Sequence, residues 1–220
     1  MTLQNRVTPQ GQIVAVPERG LFIGNRGILH DADRQLGRRR WALKAWLICR
    51  LEFRGRHRVV MTPRRYTELF FFDEATAIAA GHRPCYECRR DAFHDWQRAW
   101  RKAAGLDTPP TAPAMDRQLH LERVKAGSRA QRRWRARLGA LPDGAFIELD
   151  GAAHLVLRGG LRRWSWRGYG PAMTRAPSQT VCVLTPASSV RVLEAGYRPR
   201  LHRSAGAVYG LGALEDNAQV

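Results

Sequence analysis

The sequence predicts an α+β protein, and three observations carry that expectation. A hydrophobic fraction of 44% over 220 residues supplies enough apolar material for a proper core. Between Asp91 and Ala104, large apolar side chains recur at steps of three and four, the period of a helix buried on one face. Further on, Ala145 to Leu149 and Ala152 to Leu157 flank Asp150-Gly151, a two-residue signature of a tight hairpin. The expected layout is a small three-stranded module with helices, then two helices and a C-terminal antiparallel β-meander.

In chain order, Ile13 to Val16 and Leu21 to Ile23 read as short strands broken by Pro17 and Gly20. Gly24-Asn25-Arg26-Gly27 is a tight turn, either a connector or a cradle of backbone N–H groups for an anion. His30-Asp31-Ala32-Asp33 offers three metal-binding or acid–base groups, a cluster that short polar turns also produce by chance. Trp46 to Phe53, His57 to Met61 and Tyr66 to Phe72 are the three strands of the first module, and Arg54-Gly55-Arg56 turns between the first two. A helix over Asp73 to Ala80 stops at Gly81, a residue suited to the left-handed position after a helix end. The helix at Asp91 to Ala104 places Phe93, Trp96, Trp100 and Ala103 on a core face, and Arg98, Arg101 and Lys102 on the other.

Residues 107–114 are rich in proline and form the best boundary, dividing 1–106 from 115–204 and leaving 205–220 as a disordered tail. Helices are expected at Met115 to Val124 and at Ser128 to Leu138. The second would carry Arg129, Arg132, Arg133, Arg135 and Arg137, like charges that an anion would have to neutralise. Leu161 to Trp166 and Thr180 to Thr185 complete the meander, with Cys182 as a buried core thiol, and Ser188 to Ala195 is a closing helix.

Cys85 and Cys88 form a Cys-x-x-Cys pair on a loop stiffened by Pro84. That spacing lets two sulfurs reach one zinc, although a redox pair has the same spacing. The strand order brings Cys49 near them. The fourth ligand is His57 or His94, with His82 ranked behind both. Four cysteines are too few for a disulfide scaffold. With no apolar leader and no run of about 20 apolar residues, a cytoplasmic chain without membrane attachment is expected.

The segment from Glu68 through the apolar run Leu69 to Phe72, the helix to Gly81, and His82-Arg83-Pro84-Cys85-Tyr86-Glu87-Cys88-Arg89-Arg90-Asp91 resembles the metal-binding domain of Ada-type DNA alkylation-repair proteins. Ile48-Cys49-Arg50 is similar to that family's first cysteine segment. The likeness covers about residues 44–95. It implies a zinc site with cysteine ligands, DNA backbone contact, and methyl transfer to a zinc-bound cysteine. Phe53 stands where the family carries its second cysteine, and His82 replaces an aromatic residue. Zinc and nucleic-acid contact are therefore carried over, and methyl transfer is not.

The net charge of +18 points to a polyanionic partner, with DNA favoured over RNA. Only Lys44, Lys102 and Lys125 among the 37 basic residues are lysine; genome composition can favour Arg over Lys but leaves the shortage of acids unexplained. The candidate contact residues are Arg38, Arg39, Arg40, Arg89, Arg90, Arg129, Arg132 and Arg133. A second class of function is a metal-dependent hydrolase, a nuclease for instance, using His120 with Asp116 and Glu122. The plain reading of those residues is a surface pair. A third class is a non-catalytic interaction protein.

Overall fold

Short apolar runs broken by glycine and proline build the first sheet, in a computed structural model that describes residues 2–55, 59–174 and 176–206. Its strands are β1 (Arg6–Val7), β2 (Ile13–Val14), β3 (Phe22–Asn25), β4 (Leu47–Cys49), β5 (Leu69–Phe71) and β6 (Arg83–Pro84). They lie in the order β2-β1-β5-β3-β4-β6. The pairs β1–β5 and β4–β6 are parallel and the others antiparallel. β3 and β4 approach closely because Gly24 has no side chain; a Cβ there would lie 1.9 Å from the Leu47 carbonyl oxygen. The strand expected at His57 to Met61 does not form over its described part. Residues 56–58 lie outside the described chain, Val60 and Met61 form a turn, and the Met61 N–H donates to the buried Glu68 carboxylate.

Helix α1 (Glu74–Ala79) is buried along its whole length and is capped by Asp73, whose Oδ1 accepts from the Thr76 N–H. Gly81 ends it at φ +86°, the left-handed conformation expected of that position. Helix α2 (Arg90–Ala103) buries Phe93, Trp96 and Trp100, the aromatic face that the sequence spacing indicates. The proline-rich stretch holds the start of α3 (Ala112–Arg123), with Thr111 as its cap and Pro113 in its first turn. Helix α4 is Ala187–Glu194.

The second sheet is wholly antiparallel. It consists of β7 (Trp134–Arg137), β8 (Phe146–Leu149), β9 (Ala152–Leu157), β10 (Gly160–Ser165), β11 (Gly168–Met173) and β12 (Thr180–Val183). Its order is β11-β10-β9-β8-β12-β7. The hairpin at Asp150-Gly151 joins β8 to β9, and the meander continues through β11.

The helix expected over Ser128 to Leu138 is absent, and its second half is strand β7. Trp134 and Ala136 alternate with the exposed Arg135 and Arg137, a period of two that suits an edge strand against β12. Stacking those guanidinium groups on one helix would have cost stability; the strand sends them into water. Cys182, expected in the core, is only half-buried on β12 opposite Glu148 and Arg135.

One apolar cluster joins Val7, Ile48, Phe71 and Trp96 from residues 1–106 with Leu119, Val156, Val183 and Leu193 from 115–204. Polar bonds join the same two stretches. Asp73 Oδ2 accepts from the Tyr169 hydroxyl at 2.7 Å and from the His202 N–H at 3.1 Å. Glu74 accepts from Arg89, from the Tyr197 hydroxyl and from the Arg200 N–H. Ala205 is buried in a short 3-10 turn, and residues 207–220 of the expected tail lie outside the described chain.

Candidate metal centre and basic surface

The parallel pairing of β4 and β6 sets Leu47 beside Arg83 and Ile48 beside Pro84. The next residues along are Cys49 and Cys85, and the Cys85 N–H extends the ladder by donating to Ile48 O at 2.9 Å. The chain then folds back, with the Arg89 N–H on Cys85 O at 3.1 Å, and returns Cys88 to the same place. The three sulfurs lie within 4.8 Å of one another. Among the described residues this is the one group of three or more Cys, His, Asp or Glu side chains with its ligand atoms gathered in this way, and it could hold a metal ion.

Cys85 and Cys88 are buried and Cys49 half-buried. The thiol contacts of Cys49 and Cys88, helped by the backbone N–H groups of Cys88 and Glu87, hold Cys85 down at about 2. Cys49 is driven strongly up, first by its bonds to Cys85 and Cys88 and then by burial. One sulfur is thus readily a thiolate, while three thiolates together need a cation to balance them.

Neither described histidine candidate joins the three sulfurs. His82 is fully buried, with Nδ1 on Ala77 O at 3.2 Å and Nε2 accepting from Arg26 at 3.3 Å. His94 on α2 faces the Tyr86 ring, with centroids 5.8 Å apart. His57 lies outside the described residues. Phe53 is half-buried, with the Arg54 guanidinium 5.0 Å from its ring centre. The His30–Asp33 turn is occupied by its own fold: His30 bonds Thr67, and Asp31 accepts from the Asp33 and Gln35 N–H groups.

The residues of the hydrolytic reading are drawn into different contacts. Arg83 holds Asp116 by two bonds, of 2.8 and 2.7 Å, with both side chains buried. Glu122 accepts from the Ser188 N–H and hydroxyl. His120 rests its ring edge-on against Trp41, 4.4 Å between centroids, with Nδ1 buried and unpartnered. Burial, then Arg123 and Lys44, push its pKa below the usual histidine value.

The arginine candidates divide as sharply. Arg89 is buried against Glu74 at 2.7 Å, so it belongs to the core and not to a contact surface. Arg90 is exposed and lies over Tyr86. Arg38, Arg39, Arg129, Arg132 and Arg133 are exposed and Arg40 half-buried; Arg133 pairs with Glu148 and Arg132 donates to Val124 O. Arg40 and Arg129 come together on one cleft.

Two residues of that cleft escaped the sequence reading. Arg26 and Arg123 are 2% and 1% exposed, and their guanidinium carbons sit 4.1 and 3.9 Å from the Trp46 ring centre. Gly81 makes room for Arg123, since a Cβ there would come 2.6 Å from its Cδ. A lone arginine in a turn or at a helix end gives no sequence sign of burial.

No family model matches the chain, and neither a curated protein nor a solved structure matches it.

Proposed function

We propose that this is a zinc-stabilised protein that docks on nucleic acid, DNA in preference to RNA. The observation that carries the reading is the convergence of Cys49, Cys85 and Cys88 from segments 36 residues apart onto one point. Zinc takes tetrahedral thiolate ligands at about 2.3 Å, which puts neighbouring sulfurs about 3.8 Å apart, inside the observed span. Three sulfurs fill three positions. The fourth falls to His57 or to an exchangeable ligand such as water. Beside the cysteine site, Tyr86 and Arg90 present an aromatic face and a cation, and Arg38 and Arg39 are further exposed cations. The likeness to the Ada-type domain supports the same pairing of zinc with DNA backbone contact.

Metal analysis of the purified protein should find about one zinc per chain. Cys85→Ser should lose it and melt at a lower temperature, because metal affinity and folding are coupled in such sites. A metal-free protein whose melting is unmoved by that substitution sinks the metal half of the proposal. For the other half, Arg38→Ala with Arg39→Ala should weaken binding to unrelated duplexes alike. Each phosphate that is no longer neutralised should shallow the slope of log K against log salt by about 0.9 for duplex, or ~0.7 for single strands. An unchanged affinity and slope would remove those arginines from the interface.

A further inference from the structure

The cleft between the 124–131 loop and the turn after β3 gathers five cations, Arg26, Arg40, Arg123, Lys125 and Arg129, and among the described residues no acidic one lines it. Its open volume, mouth included, is about 310 Å³. Among the described residues, two of the five are buried and incompletely bonded. Arg26 uses Nε on His82 and Nη1 on Gly11 O, which leaves Nη2 with no partner. Arg123 donates to Gly81 O and Lys44 O, which leaves Nε without one. Asp116 on α3, the carboxylate that acts most on Arg123, is already gripped by Arg83.

Buried guanidinium groups hold their protons and are costly without a counter-charge. Stacking on Trp46 and bonds to neutral acceptors meet only part of their donor capacity and bring no counter-charge. The field is felt by neighbours: burial and then Arg40 pull Arg26 down to about 9, and burial followed by Arg26 and Arg123 pulls His82 well down. Trp41, 37% exposed, forms part of the wall and offers a flat face for a planar group.

We propose that this cleft is a binding site for a phosphate monoester, with Arg26 and Arg123 at its floor, Arg40, Lys125 and Arg129 at its sides, and Trp41 placed for an attached base. A monoester carries a charge of about −1.5 to −2 and three acceptor oxygens, which suits unused N–H donors from two guanidinium groups. The source is either a free nucleotide or the phosphorylated end of a strand. The site stands on its own residues and requires neither the zinc nor the general DNA surface.

The test is calorimetric titration of the whole protein with inorganic phosphate and with a nucleoside monophosphate, at fixed ionic strength. One saturable site per chain is expected. Arg40→Ala with Arg129→Ala, both at the rim where folding is spared, should weaken it at least tenfold. Arg64→Ala with Arg65→Ala, an exposed pair outside the cleft, removes the same charge and should leave it unchanged. Absence of saturation, or equal losses in the two double variants, overturns the site. A 5′-phosphorylated oligonucleotide is then compared with its unphosphorylated twin. Tighter binding of the phosphorylated strand, displaced by inorganic phosphate, supports the site and identifies the strand end as the source. If both strands bind alike and only the free nucleotide competes with phosphate, the site stands with the nucleotide as its ligand. If both strands bind and neither phosphate nor nucleotide titrates, the site falls while the DNA proposal survives. The converse, phosphate binding without any DNA binding, sinks the DNA proposal alone.

Discussion

Asp116 owes its role to Arg83, which meets its two carboxylate oxygens with two N–H donors where the side chains are only 7% and 5% exposed. Among the described residues Arg83 has no other ion-pair partner, so Asp116→Ala strands a buried cation and should cost about 3 kcal/mol or more. His120→Ala, which removes one edge-on aromatic pairing of a half-buried ring, should cost under about 1 kcal/mol. Urea unfolding of the two variants measures the difference. Similar small losses would show that the Arg83–Asp116 pair is not the anchor described. Sequence spacing puts Asp116 and His120 on one helix face, and nothing in that spacing reveals that an arginine 33 residues earlier has taken the carboxylate. Arg26 and Arg123 were hidden for the same reason: burial of a charge is decided by partners distant in the chain.

Helix α1 depends on Asp73 more than a six-residue helix ordinarily depends on its cap. The carboxylate accepts four hydrogen bonds, from the Thr76 N–H and hydroxyl, the Tyr169 hydroxyl and the His202 N–H. Asp73→Ala removes the cap and leaves buried donors unmet, a loss of about 2–4 kcal/mol. Asp95→Ala breaks only an exposed pair with Arg98 and should stay within about 0.5 kcal/mol. Thermal melts of both variants test this, and equal shifts would remove Asp73 from its central place. Elements with a full period were legible in the sequence: α2 by its aromatic face, β8 and β9 by the Asp150-Gly151 turn, α4 by its glycine stop. β6 holds two residues and exists only by pairing with β4, and β1 holds two between the nearby β2 and the distant β5, so no local pattern marks them. β7 misled because arginine suits helix and edge strand alike, and its alternation with Trp134 and Ala136 was the overlooked sign. Cys49, Cys85 and Cys88 were legible as a group. Their convergence depends on the β4–β6 register, with a two-residue strand that the sequence does not announce.

Across the whole molecule, burial sets the response to acid. His82, His120, His154 and His202 all have pKa values lowered from the ordinary value, with desolvation the first cause in each. A lowered folded value means that the unfolded chain, titrating near 6.5, binds protons that the folded chain refuses. Stability is therefore present above about pH 6.5 and is lost as pH falls below it. Asp73 acts in the opposite sense, because burial raises it and the folded form takes up its proton first, at more acidic pH. The fully buried His82 alone sets a limiting slope of about 1.4 kcal/mol per pH unit. Melting temperature should fall between pH 7 and about 5.5, and His82→Gln should flatten the fall even if its starting point is lower. An unaltered slope in that variant would assign the effect to other groups.

The bond from His202 to Asp73 spans 129 residues, and it acquires a time when the chain is made from one end. Synthesis at roughly 5–20 residues per second separates the two partners by on the order of ten seconds. For most of that interval Asp73 and Glu74 have emerged without Tyr169, Tyr197, Arg200 or His202 to meet them. The cysteine loop that follows α1 is likewise complete long before its supporting helix is sealed. A chain made only as far as residue 106 would thus carry all three cysteines on a segment whose buried carboxylates still await their distant donors.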